Sequence, residues 1–152
     1  MKKDINELFE MLKWNQDEKI QEVGRQLAKN IKYFSILFQP IEDKSVWENC
    51  AIIISEKTDE ELGLYLYEMF DWLQDINWPG ADRILKRLIS MPVHMMYSSY
   101  LTILKKAIQL QDEPWLINLY DLGCKTKMYD MLDDDIKKRV HYFLKNADLL
   151  KD

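Results

Sequence analysis

Glycine and proline are scarce in this chain of 152 residues, at four of each. That is too few for the turns of a β-sandwich or barrel and points to long helices. Four glycines also exclude a glycine-rich phosphate cradle, and neither a G-x-G-x-x-G run nor a P-loop occurs. Histidine and cysteine are limited to His94, His141, Cys50 and Cys124. None of them falls in an H-x-x-x-H, H-E-x-x-H or C-x-x-C pattern, so no metal site is legible and no metal or other cofactor is expected. A nucleophile elbow of the G-x-S-x-G type is absent, and a Ser-His-Asp or Cys-His pair would have to be assembled entirely by the fold. The chain has no continuous apolar run near the ~18 residues of a membrane span. Met1-Lys2-Lys3-Asp4 leads into an amphipathic stretch and not into the apolar segment of a secretory signal. The expectation is a cytoplasmic protein with two reduced thiols and no membrane association.

An excess of positive charge is also missing. Twenty-one Lys and Arg stand against 26 Asp and Glu, for a net charge of −5. Nucleic-acid binders carry a basic face that releases counterions from phosphate. Here the largest basic cluster, Lys137-Lys138-Arg139, follows directly on Asp133-Asp134-Asp135, which partly cancels its field. The aspartates, with Asp130, resemble a cation site in composition, but a run that opens a helix reads first as capping.

What is present is helical periodicity. Ile20, Val23, Leu27, Ile31 and Phe34 step by three or four, as do Leu62, Leu66, Met69, Leu73 and Ile76. Tyr97, Leu101, Leu104 and Ile108 follow the same rule, and so do Ile136, Val140, Phe143, Ala147 and Leu150; each set marks one face of a helix. Ala51–Ser55 has the β-branched run of a strand. It sits behind Ser45-Val46-Trp47-Glu48, a capping-box pattern, so a helix from about Val46 is the better reading. Thr58-Asp59-Glu60-Glu61 is a second capping box. Pro79 suits the first turn of a new helix, Pro92 separates two helices, and Pro114 follows Asp112 as cap. Asp133 caps the last helix. The Leu62–Ile76 segment adds Leu64, Tyr65, Tyr67, Phe70 and Trp72 to its stripe, so it should be covered on two sides.

One pattern recurs: Trp14-Asn-Gln16-Asp17, Trp72-Leu-Gln74-Asp75 and Gln109-Leu-Gln111-Asp112, each between two amphipathic segments. An Arg falls eight residues after the first two Asp residues (Arg25, Arg83). The Gln-Asp pairs lie 58 and 37 residues apart. The shorter step resembles the helix-pair length of HEAT and armadillo solenoids. The expected fold is all-α: stacked helix pairs of HEAT/armadillo-like type, about seven to eight helices, in a single domain over 1–152. Each Asp would cap the second helix of its pair, with the Arg bracing the turn.

The segment Trp72-Leu73-Gln74-Asp75-Ile76-Asn77-Trp78-Pro79-Gly80-Ala81, with Lys57–Leu62 before it and Ile84–Leu88 after it, resembles an uncharacterised family, a domain of unknown function with a W-L-Q-D-x-N-W-P-G-A core. The resemblance covers roughly Val46 to Leu119. It implies a small bacterial cytoplasmic protein of helical-repeat type and brings no catalytic residues with it.

The Trp72–Ala81 stretch is the part of the chain that invites a functional label. Structurally it reads as a corner between helices, with Gly80 allowing close packing and Trp78 as a wedge. Functionally, Trp72, Gln74, Asp75, Asn77 and Trp78 combine indoles with polar donors, a common composition of interaction hot spots. The favoured reading is a non-enzymatic protein-binding module, a monomer or homodimer, whose partner is another protein and not nucleic acid. An immunity protein that blocks a toxin is a specific form of it. The alternatives are a HEAT-like nucleic-acid-processing enzyme using Trp72, Asp75 and Trp78, and a small-molecule or peptide pocket lined by Tyr65, Trp72 and Tyr97.

Overall fold

The computed structural model describes residues 4–41 and 43–146. Its elements, in order, are α1 (Ile5–Met11), α2 (Glu18–Ala28), α3 (Trp47–Ser55), α4 (Asp59–Leu62), α5 (Leu66–Trp72), α6 (Ala81–Ile89), α7 (Val93–Leu110), α8 (Glu113–Thr126) and α9 (Asp134–Asn146). A 3-10 turn at Gly63–Tyr65 joins α4 to α5, so the two form one interrupted rod and the described residues make eight helical segments without a strand. Short 3-10 turns also lie at Phe34–Leu37, Lys44–Val46 and Tyr129–Met131. The fold is therefore all-α, with the expected number of helices.

The helices lie in two rows. In one, α2 touches α3, α3 touches α6 and α6 touches α8; in the other, α5 touches α7 and α7 touches α9. The pairs α1/α2, α5/α6, α7/α8 and α8/α9 link the rows. One hydrophobic cluster runs between them from Leu8 to Leu144. The α5 segment is covered on two sides, by α6 and α7, as its double apolar face requires. Leu62, Leu66, Met69 and Leu73 are buried, while Leu64 and Tyr67 face solvent. On α7 the buried face is Met96, Tyr100, Ile103, Leu104 and Ala107, one step round from the predicted stripe. On α9 Ile136, Val140 and Leu144 are buried; Ala147 and Leu150 lie outside the described residues.

Most helix signals hold. Thr58 and Glu61 form the reciprocal capping box, Asp112 caps α8 by accepting from the Trp115 amide at 3.2 Å, and the Asp133 carboxylate accepts from the Ile136 amide at 2.9 Å. Three signals are redistributed. Asp43, and not Ser45, caps the turn into α3, accepting from the Ser45 amide at 2.9 Å. Pro79 lies before α6 and not in its first turn; the N-cap is Gly80 at φ +84°. In α2 the buried positions are Gln21, Gly24 and Ala28, while Ile20 and Val23 of the predicted stripe stay exposed. The reason is close approach: a Cβ on Gly24 would stand 3.0 Å from the Met11 Cβ, so α1 and α2 meet through their smallest residue.

The Gln-Asp corners are not built alike. Asp17 caps α2, accepting from the Lys19 amide at 2.9 Å, and Asp112 caps α8. Asp75 instead accepts from the Asn77 amide at 2.8 Å inside the turn and caps no helix. Nor do the arginines brace their own turn aspartates. Arg25 bonds Asn49 at 2.7 Å and Glu18 at 3.0 Å, and Arg83 bonds Glu48 at 2.6 Å, so both reach α3. What holds the first two corners is a buried amide from a later helix. The Asn49 side chain donates to the carbonyl of Leu12, the C-cap of α1, at 2.7 Å, and the Asn118 side chain donates to that of Leu73, the C-cap of α5, also at 2.7 Å.

Candidate functional site

The Trp72–Ala81 segment divides between opposite environments. Trp72 is 0% exposed, its indole donating to the Pro79 carbonyl at 3.0 Å. This removes it from any recognition edge and from a cleft wall: it is the core post around which the corner folds. Gln74, Asp75 and Asn77 line a shallow groove of about 410 Å³ with Pro114, Ile117 and Asn118. Trp78 turns the other way, into a recess of about 290 Å³ shared with Phe38, Gln39, Ile41, Trp47, Glu68 and Asp71. Of the five residues named from the sequence, Gln74, Asp75 and Asn77 are brought together, and Trp72 and Trp78 are not joined to them. Of the residues imagined as a ligand pocket, Tyr65 lies against Phe34 and Phe38, and the Tyr97 hydroxyl donates to the Met131 carbonyl at 3.0 Å.

A groove of about 550 Å³ lies over α3 between α2 and α6. Its polar groups largely satisfy one another. The Asn49 amide donates to Gln21 at 2.9 Å and accepts from Arg25. The Gln21 amide donates to the carbonyls of Trp14 at 3.0 Å and Gln16 at 2.7 Å. Arg83 pairs with Glu48 at 2.6 Å and Lys29 with Glu56 at 2.8 Å. This chemistry is taken up in holding three helices together.

The Trp78 recess differs in carrying groups that the fold leaves unused. Its walls are aromatic: Trp47 and Trp78 meet edge to face at 5.7 Å, and Phe38 stands edge-on to Trp72 at 6.5 Å behind them. The Trp47 indole donates to the Pro40 carbonyl at 2.7 Å. That bond pins the Phe38–Ile41 strip and holds Ile41 outward at 91% exposure. Gln39, just before the pinned proline, takes φ +46°, a left-handed conformation that strains a side chain of its kind. Its side-chain amide nitrogen is shut away from solvent with no hydrogen-bond partner among the described residues. The Asp71 carboxylate is half-buried and forms no hydrogen bond or ion pair with the described residues. Burial pushes its pKa above the ordinary 3.8; the charge of Lys106 pulls the other way and that of Glu68 adds to the rise.

Among the described residues no three His, Cys, Asp or Glu side chains converge as a metal site would need. Cys50 and Cys124 are free thiols, and burial pushes that of Cys50 up to about 12. Among the same residues no helix is long and apolar enough to cross a membrane.

Residues 42–147, well over half of the chain, match the family described as Domain of unknown function (DUF5071). The chain belongs to this family. No curated protein and no solved structure matches the chain. The DUF5071 region is wider than the Val46–Leu119 resemblance: it takes in α3 to α9, including the last helix. Its lower bound cuts through the recess. Trp47, Glu68, Asp71 and Trp78 lie within the DUF5071 region, while Phe38, Gln39 and Ile41 precede it.

Sequence reading missed Phe38, Gln39, Ile41, Glu68 and Asp71 because they share no period and no motif. Of the recess residues the sequence singled out only Trp78; its neighbour Trp47 is brought to it by the fold.

Proposed function

We propose that this chain is a non-enzymatic protein-binding domain whose contact face is the Trp47–Trp78 recess and its apolar rim. The observation that carries the reading is the combination in that recess of aromatic walls, a fully outward isoleucine, and two polar groups without partners among the described residues. Interfaces concentrate their affinity in such places, where large aromatics are surrounded by groups that gain partners on docking. The neighbouring surface supports it: Tyr33, Ile36, Leu64 and Tyr67 are exposed on the segments that flank Phe38 and Tyr65. A nucleic-acid enzyme is supported less well. Of its imagined residues, Trp72 is sealed in the core and Asp75 and Trp78 line separate recesses, while the groove over α3 sets four glutamates against Arg25, Lys29 and Arg83.

In its finer form the partner is a toxin and this domain its immunity protein. Small size and the net charge of −5 support that version. Co-purification from the native host at low salt tests the reading. A discrete partner should be retained by the natural chain and released by Ile41→Ser, a change at an exposed position that leaves the fold intact. Elution of the natural chain alone counts against protein binding. Retention of the partner by both chains counts against this face.

A further inference from the structure

The recess also specifies what kind of group enters it. We infer that it receives a cationic side chain, arginine or lysine, from the partner protein, with Asp71 and Glu68 facing the charge and Trp47 and Trp78 flanking its stem. The inference rests on the protein-binding reading and deepens it.

Three observations converge. The indole faces attract cations already: the Lys44 ammonium stands 5.5 Å from the Trp47 ring centre and 5.9 Å from that of Trp78. Two carboxylates line the same recess, neither paired by the described residues. Asp71 gives up part of its hydration without a hydrogen bond in return, which disfavours its charged form until a cation arrives. An anionic or purely apolar guest would leave the carboxylates worse off than solvent does. A partner segment presenting arginine or lysine supplies a charge for Asp71 and an alkyl stem for the indoles.

The test uses the full chain labelled with ¹⁵N and follows the indole N–H signals. The probes are the N-acetyl amides of arginine, lysine, norleucine and glutamate. The arginine and lysine amides should shift Trp47 and Trp78 saturably and leave buried Trp115 in place. Asp71→Asn should weaken that binding by about tenfold, and Glu68→Gln by a smaller factor, as expected when a charge-assisted contact becomes a neutral one. The inference is overturned if the norleucine amide binds as well as the cationic ones. It is equally overturned if the two indoles do not move, or if Asp71→Asn binds like the natural chain. The outcomes separate the two readings. A partner captured through Ile41 with no response to the cationic amides sinks this inference alone. Cationic amides that bind where no partner is ever captured uphold the recess chemistry and sink the protein-binding reading.

Discussion

Asp71 and Gln39 each carry a polar group without a hydrogen-bond partner among the described residues. A half-buried carboxylate without a hydrogen bond works against the native state, and so does a non-glycine residue at positive φ with an orphaned amide. Residues that cost stability yet sit together in one recess are what a binding site leaves in its unliganded form. Asp71→Asn removes the charge while keeping the shape. Because half of the group is still in water, the gain is small after allowing for solvent screening, up to about 0.5 kcal/mol, or a melting point roughly 1–2 °C higher. The pH dependence follows from the direction of the shift. With its folded-state pKa raised, Asp71 contributes its stability below the ordinary carboxylate value and loses it as pH rises through the raised one. The advantage of Asp71→Asn should therefore be present at neutral pH and shrink under acid conditions; melting curves across that range check it. A variant that melts well below the natural chain at neutral pH would mean that the carboxylate has a structural partner.

Elements were legible in the sequence where burial and hydrophobicity coincide. The stripe of α5, the capping box at Thr58 and the caps at Asp112 and Asp133 could all be read, because each rests on local chemistry that needs no knowledge of the neighbours. The failures share a cause, a contact made by small or polar side chains. α2 buries Gln21, Gly24 and Ala28 because α1 comes too close for larger residues and because Gln21 satisfies the carbonyls of the first corner. Hydrophobic periodicity finds Ile20 and Val23 instead, and these face water. Likewise Asn49 and Asn118 close the corners from helices that lie 37 and 45 residues further along the chain, beyond any local pattern. Gly80 was read correctly as a packing glycine, and the structure adds its left-handed backbone. A Cβ there would stand 2.6 Å from the Ala51 Cβ and 2.9 Å from the Trp47 carbonyl oxygen. Gly80→Ala should cost about 2–4 kcal/mol in urea denaturation, from overpacking and backbone strain together. A loss below ~0.5 kcal/mol, within the range of ordinary surface changes, would show that α3 and α6 can part cheaply.

Across the whole molecule, one core serves both the DUF5071 region and the residues before it. The first two helices are tied to α3 through Arg25, Gln21 and Asn49, and the Phe38–Ile41 strip is tied to it through Trp47. The candidate site straddles that boundary, which is why no single motif announced it: the sequence shows its tryptophans, and only the fold brings the strip, α5 and the corner together. The most direct measurement places a benzoylphenylalanine crosslinker at Ile41 in the native host, with Tyr142 on α9, also exposed, as the comparison position. The account predicts a discrete crosslinked partner from position 41 and none from position 142. A partner that co-purifies yet crosslinks from position 142 and not from 41 would contradict it.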